Sequence, residues 1–230
     1  MAFKIAFSAA FITVSLATAA HGQTAPSVEG NVSLVSDYRF RGISLSDETL
    51  ALQGGLDASW QSGFYVGAWG SSIEPVGGSE LELDLYAGYG GEIAEGVSFD
   101  AGVLVYTYPG QDDSAYVEPY ASVTAMTGPA QSTLGIAYAP EQDNIGDDDN
   151  LYVYYAGEVP LTGAIGLSFG AGYEKGAFGD PDGDGDDKLN WTLGLSLAAA
   201  GLDWGLAYVD TSEDVDTGDA QLVVSAGRAF

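Results

Sequence analysis

The sequence predicts an all-β fold, a transmembrane antiparallel up-and-down β-barrel of about twelve strands. Three observations predict it. Apolar and polar residues alternate through nearly every stretch after residue 27, the period-2 pattern of a strand with two different faces. Most of these stretches run about ten residues, the length of a tilted strand crossing a bilayer rather than the five or six usual in soluble sheets. The connections between them alternate short with mostly longer and acidic, as in a barrel with tight turns on one side of a membrane and larger loops on the other. Composition agrees: 33 Gly and 14 Tyr among 230 residues favour strands and turns, and 46% hydrophobic content argues against disorder. Only 6 Lys+Arg stand against 33 Asp+Glu, a net charge of −27. That sign excludes a phosphate-binding surface, so no nucleic-acid partner is expected. Cysteine is absent, which removes disulfides, thiolate metal sites and cysteine nucleophiles.

Residues 1–22 read as a signal peptide. Lys4 supplies the positive n-region, an apolar run extends from Ile5 to Ala17, and small residues offer cleavage after Gly22 or after Ala19. The run is too short to span a bilayer as a helix. A cut after Gly22 removes His21, the one histidine, and Lys4, leaving 33 acids against 5 bases, a net of −28. Residues 23–230 form the barrel domain.

Taken in order, the alternating segments are 28–41, 50–60, 64–73, 80–90, 97–108, 115–125, 131–139, 150–159, 165–175, 189–199, 202–209 and 219–230. In 28–41, Val28, Val32, Leu34, Tyr38 and Phe40 share one face, opposite Glu29, Asn31, Ser33, Asp37, Arg39 and Arg41. In 80–90, Leu81, Leu83, Leu85, Ala87 and Tyr89 oppose Glu80, Glu82, Asp84 and Tyr86. The expected long connections are 42–49, 74–79, 109–114, 140–149, 176–188 and 210–218, and they hold most of the acids. An even strand number places both termini at the short-turn, periplasmic side. Closure follows from physics, because lipid cannot hydrogen-bond a free sheet edge.

Aromatics on the apolar face sort into two belts. Trp60, Phe64, Tyr89, Phe99, Trp204 and Phe230 fall at the short-turn ends, and Tyr38, Phe40, Tyr138, Tyr173, Trp191 and Tyr208 at the long-loop ends. Such girdles mark the two membrane interfaces. Terminal Phe230 closes the last alternating strand, as in chains read by the bacterial barrel-assembly machinery, with Arg228 interrupting the apolar phase.

Several stretches resemble the TorF-type family of proteobacterial outer-membrane barrels. They are Ser36-Asp37-Tyr38-Arg39-Phe40-Arg41-Gly42-Ile43-Ser44, the run 63–71, Leu83-Asp84-Leu85-Tyr86-Ala87-Gly88-Tyr89, the runs 106–110 and 116–120, and Gly201-Leu202-Asp203-Trp204. The resemblance implies an outer-membrane barrel of Gram-negative bacteria, termed a porin by inference, and carries no agreed catalytic or ligand residues.

Candidate functional residues follow from parity. Facing the lumen are Asp37, Asp57, Glu82, Asp84, Asp100, Glu118 and Glu158, with Glu29, Glu174 and Asp203, opposed by Arg39 and Arg41 and interleaved with Tyr86, Tyr106 and Tyr120. Arginines facing carboxylates can set a transverse field that filters small polar solutes. They can equally bridge the carboxylates and fill a narrow barrel. An open pore of this composition prefers cations. Catalysis is not expected, since the mature chain has no histidine to activate a serine. Asp180, Asp182, Asp184 and Asp186 form the first half of an EF-hand-like loop, but Trp191 stands where the bidentate Glu belongs. A weak Ca²⁺ or Mg²⁺ site and a plain solvated loop are the two readings there. No other cofactor is expected. The partners are the bilayer and its outer-leaflet headgroups, which divalent cations can bridge to the acidic loops. The expected function is a porin-like channel for passive diffusion of small hydrophilic solutes, against a closed structural or surface-interaction barrel.

Overall fold

The computed structural model describes residues 25–230. The segment 1–22, expected to be a signal peptide, lies outside the described residues. Twelve antiparallel strands form one closed barrel. They are β1 (Ser27–Val35), β4 (Ala51–Ser59), β5 (Phe64–Val76), β6 (Ser79–Ala94), β7 (Val97–Thr107), β8 (Tyr116–Thr127), β9 (Ala130–Gln142), β10 (Asp148–Pro160), β11 (Ile165–Gly176), β12 (Lys188–Ala199), β13 (Leu202–Thr211) and β14 (Gln221–Ala229). Two short strands, β2 (Arg39–Phe40) and β3 (Ile43–Ser44), make a separate ribbon. Each barrel strand pairs with its sequence neighbours, and β1 pairs with β14 to close the ring. Phe230 completes the seam, exchanging both backbone hydrogen bonds with Gly30 at 2.9 Å. No sheet edge is left in the ring.

The alternation works as the physics of a lipid-facing wall requires. Leu34, Leu56, Leu85, Leu134, Leu193 and Leu222 stand exposed on the outside. Their strand neighbours Gln53, Tyr86, Ala137 and Val223 are buried toward the lumen. Glycines on the inner face admit flat tyrosine rings. A Cβ on Gly67 would run into the Tyr86 ring, and one on Gly135 into that of Tyr154. These rings therefore lie along the wall rather than across the lumen.

The chain departs from the sequence-based expectation in two places. The segment 28–41 is not one strand. β1 stops at Val35, where the Ser36 amide and hydroxyl pair with Val224 of β14 at 2.8 and 2.9 Å. Residues 36–50 then turn into the barrel. Tyr38 and Phe40 are consequently not membrane-interface aromatics. Tyr38 is 1% exposed, edge-on to Trp69 at 5.4 Å, and Phe40 packs edge-on to Tyr106 at 5.8 Å. Their alternation with Asp37, Arg39 and Arg41 reflects a ribbon packed inside the barrel, which also has two faces. The expected long connection 74–79 is a two-residue turn, Gly77-Gly78, at φ 58° and 97°. Both angles suit the hairpin geometry that matches strand twist. β5 and β6 run to it as extended strands. The other connections at that end are 36–50, 108–115, 143–147, 177–187 and 212–220.

Candidate functional site: a hairpin across the lumen

The ribbon β2–β3 is the centre of the site. Its turn is Arg41-Gly42, at φ 50° and 93°. A Cβ on Gly42 would come within 2.8 Å of Thr211 and 3.1 Å of Asn190, so the tip abuts β12 and β13. The base of the ribbon is held on the other side. Leu45 bridges it, its amide bonding the Tyr38 carbonyl at 2.8 Å and its carbonyl accepting from the Glu74 amide at 2.8 Å. The hairpin therefore crosses the lumen from the β5 side to the β12–β13 side.

Arg41 reaches carboxylates on two strands. One guanidinium nitrogen donates to both oxygens of Glu118 on β8, at 2.7 and 2.8 Å, and the other to Glu174 on β11. The Phe40 and Tyr152 rings flank the guanidinium, 4.6 and 4.2 Å from its carbon. Glu174 also meets Lys188 Nζ at 2.6 Å and accepts from Asn150 at 2.8 Å, while Tyr106 donates to Glu118 at 3.0 Å. Burial opposes the arginine's charge, but Glu118 and Glu174 outweigh it and hold the guanidinium more basic than usual.

Arg39 is placed differently. It pairs with Asp37, donates to Glu48 at 3.0 Å, and reaches the carbonyls of Gly42 and Asp219 at 3.0 and 2.8 Å. Asp37 in turn accepts from the hydroxyls of Ser44 and Ser46. This cluster folds the 36–50 segment and ties it to the 212–220 loop. Arg39 and Asp37 are buried inside the crossing segment rather than arrayed on the barrel wall.

The remaining inward groups lie on the wall in two zones. Glu82 and Asp84 of β6 are buried near the long-loop end, and Tyr38 donates to Glu82 at 3.1 Å. Farther toward the short turns, Tyr86 donates to Asp57, and Tyr65 donates to Asp100 at 2.9 Å and also contacts the Tyr120 hydroxyl. Glu158 lies two residues before the end of β10 and is half-buried. Among the described residues, no ion pair reaches Asp57, Asp100 or Glu158. Sequence reasoning missed Lys188, Asn150 and Trp69. Strand parity with Asn190, Tyr152 and Tyr65 was the signal that could have placed them.

The outward aromatics Trp60, Phe64, Tyr89, Tyr138, Tyr173, Trp191, Trp204, Tyr208 and Phe230 are 37–76% exposed. Phe64 and Tyr89 pack with tilted rings, 4.9 Å between ring centres. The phenols of Tyr138, Tyr173 and Tyr208 donate to Asp149, Asp187 and Asp210 at the long-loop end. In the 177–187 loop, carboxylate oxygens of Asp180, Asp182 and Asp184 lie within 4.8 Å of one another. Asp186 is not in that group; its amide donates to Asp184 at 2.8 Å. The Asp214 amide donates to Asp182 at 3.0 Å, joining this loop to the 212–220 loop.

Comparison with known proteins bears on the fold and the family. A solved KdgM porin superposes with a TM-score of 0.58 at 10% identity, over 88% of this chain and 98% of that one. A second KdgM structure, in complex with disordered oligogalacturonate, gives 0.59 at 11% identity over the same shares. The COG4313 outer-membrane channel from Pseudomonas putida F1 gives 0.51 at 12% identity, covering 91% and 97%. At these identities the likeness is one of fold, that of outer-membrane barrels. None of the curated proteins compared matches the sequence. The resemblance to TorF-type barrels is supported in its fold and not in its name. Residues 19–228 match the model of a bacterial protein family of unknown function, Gcw_chp, and the chain belongs to that family.

Proposed function

We propose that the protein is a porin-like channel of the Gram-negative outer membrane, passing small hydrophilic solutes by diffusion and preferring cations. The observation that supports this best is the composition of the wall beyond the hairpin. Asp57, Asp100 and Glu158 line it with phenol hydroxyls, while the lumenal cations Arg41 and Lys188 are already bound to Glu118 and Glu174. A path lined by excess carboxylates attracts cations and repels anions. The channel likeness of the solved neighbours supports the same reading. The outward Leu and Val residues with their flanking aromatics are the membrane-spanning belt. Phe230 at the seam is the mark read by the assembly machinery, and the acidic loops meet the outer-leaflet headgroups through divalent cations, with Asp180, Asp182 and Asp184 as a weak site for one. The mechanism is not enzymatic: the wall supplies a polar path and a charge filter.

One observation favours a second reading. The hairpin 36–50 crosses the lumen, as a closed structural barrel would require. Liposome swelling separates the two. Refolded protein should admit neutral and cationic solutes of the size of a small amino acid faster than anionic ones. Vesicles that swell no faster than protein-free controls would favour the closed barrel.

A further inference from the structure

The described lumenal cations all have carboxylate partners, and neither Glu82 nor Asp84 is among them. Glu82 and Asp84 are 1% and 3% exposed and two residues apart on β6, so their side chains leave the same face of the strand. Tyr38 reaches Glu82 from the crossing segment. The second Glu82 oxygen, Oε2, and the Oδ1 of Asp84 are buried and receive no hydrogen bond from any protein group. A buried carboxylate without a partner is costly, and two adjacent ones cannot both stay ionised without a compensating positive charge. The surrounding groups do not supply one. Tyr38 donates to Glu82, Tyr108 lies within reach of the charges of both acids, and burial followed by those charges pushes both phenols up, so both stay neutral.

We propose that Glu82 and Asp84 together bind one hard divalent cation, Ca²⁺ best, in the lumen beneath the crossing hairpin. Two carboxylates match a charge of +2. The available donors are all oxygens, which selects Ca²⁺ or Mg²⁺ over softer metals. Ca²⁺ tolerates irregular coordination, whereas Mg²⁺ demands a near-ideal octahedron. The ion joins β6 to the Tyr38 segment and so fastens the base of the hairpin. The inference requires the folded barrel and not its conduction.

The test uses detergent-refolded protein carrying D180N, D182N and D184N, which silences the loop carboxylates. Calorimetric titration with Ca²⁺ should show one site, and the melting temperature should rise in Ca²⁺ over that in EDTA. Adding E82Q and D84N should abolish both effects. Should that combination fail to fold, E82Q alone should weaken Ca²⁺ binding by about tenfold or more, since affinity follows ligand charge. Absence of any Ca²⁺ effect in the loop-silenced protein overturns the proposal, as does an effect that survives E82Q and D84N. A protonated-carboxyl infrared band that is lost in E82Q with D84N but that Ca²⁺ does not remove also overturns it, because a shared proton then supplies the missing charge.

Discussion

Arg41 holds a positive φ of 50° at the tip of the crossing hairpin, a backbone region costly for a non-glycine residue. Its partners explain how it stays there. Glu118 and Glu174 take its charge, and Phe40 and Tyr152 cover its faces. A guanidinium suits this position because its planar fork meets one carboxylate with two hydrogen bonds. Removing one partner of a buried ion pair leaves the others uncompensated and costs about 3–5 kcal/mol. R41A should therefore lower the denaturant midpoint of the refolded barrel, and R41A with E118Q should recover part of the loss. Equal midpoints for R41A and the wild type would show that these pairs do not hold the hairpin. The sequence made Arg41 and Glu118 visible as lumenal by parity. It did not reveal that Arg39, two residues earlier in the same phase, serves Asp37 and Glu48 instead. Alternation reports which face a residue takes, and not whether that face belongs to the barrel or to a segment inside it.

At the scale of elements, the strands were legible and the crossing segment was not. The eleven barrel strands after β1 fall within a few residues of the alternating stretches, because one face meets lipid along its whole length and must stay apolar. The 36–50 segment mimics that pattern by burying Tyr38 and Phe40 against Trp69 and Tyr106. If this segment obstructs the lumen, replacing residues 37–48 by a short Gly-Ser turn should raise single-channel conductance severalfold while the barrel keeps its heat-modifiable gel mobility. Unchanged conductance would place the solute path elsewhere. The loops above the barrel carry a pH-sensitive clasp. Asp182 accepts backbone hydrogen bonds from Asp214 and Asp184, and these hold its carboxyl below the ordinary value. A carboxyl lowered in the folded state stabilises above its unfolded pKa and loses that contribution as pH falls through the folded one. The 177–187 and 212–220 loops should then separate only at a pH below the ordinary aspartate range. Faster exchange of the Asp214 amide with falling pH, corrected for intrinsic rates and absent in D182N, is the expected sign. Exchange independent of pH in the wild type would remove the clasp.

For the whole molecule, the net charge of −27 resolves by position. Most acids ring the long-loop end, and a smaller set alternates with apolar residues along the wall. The lumenal bases sit near the long-loop end, bound to carboxylates, while Asp57, Asp100 and Glu158 farther along meet phenols or no cation. Charge of one sign along a low-dielectric path sets which ions enter. The most direct test is planar-bilayer recording of the refolded protein across a KCl gradient. The account predicts discrete conductance steps with a reversal potential shifted toward that of K⁺. A reversal potential shifted toward that of Cl⁻, or persistent silence from correctly folded protein, would contradict it.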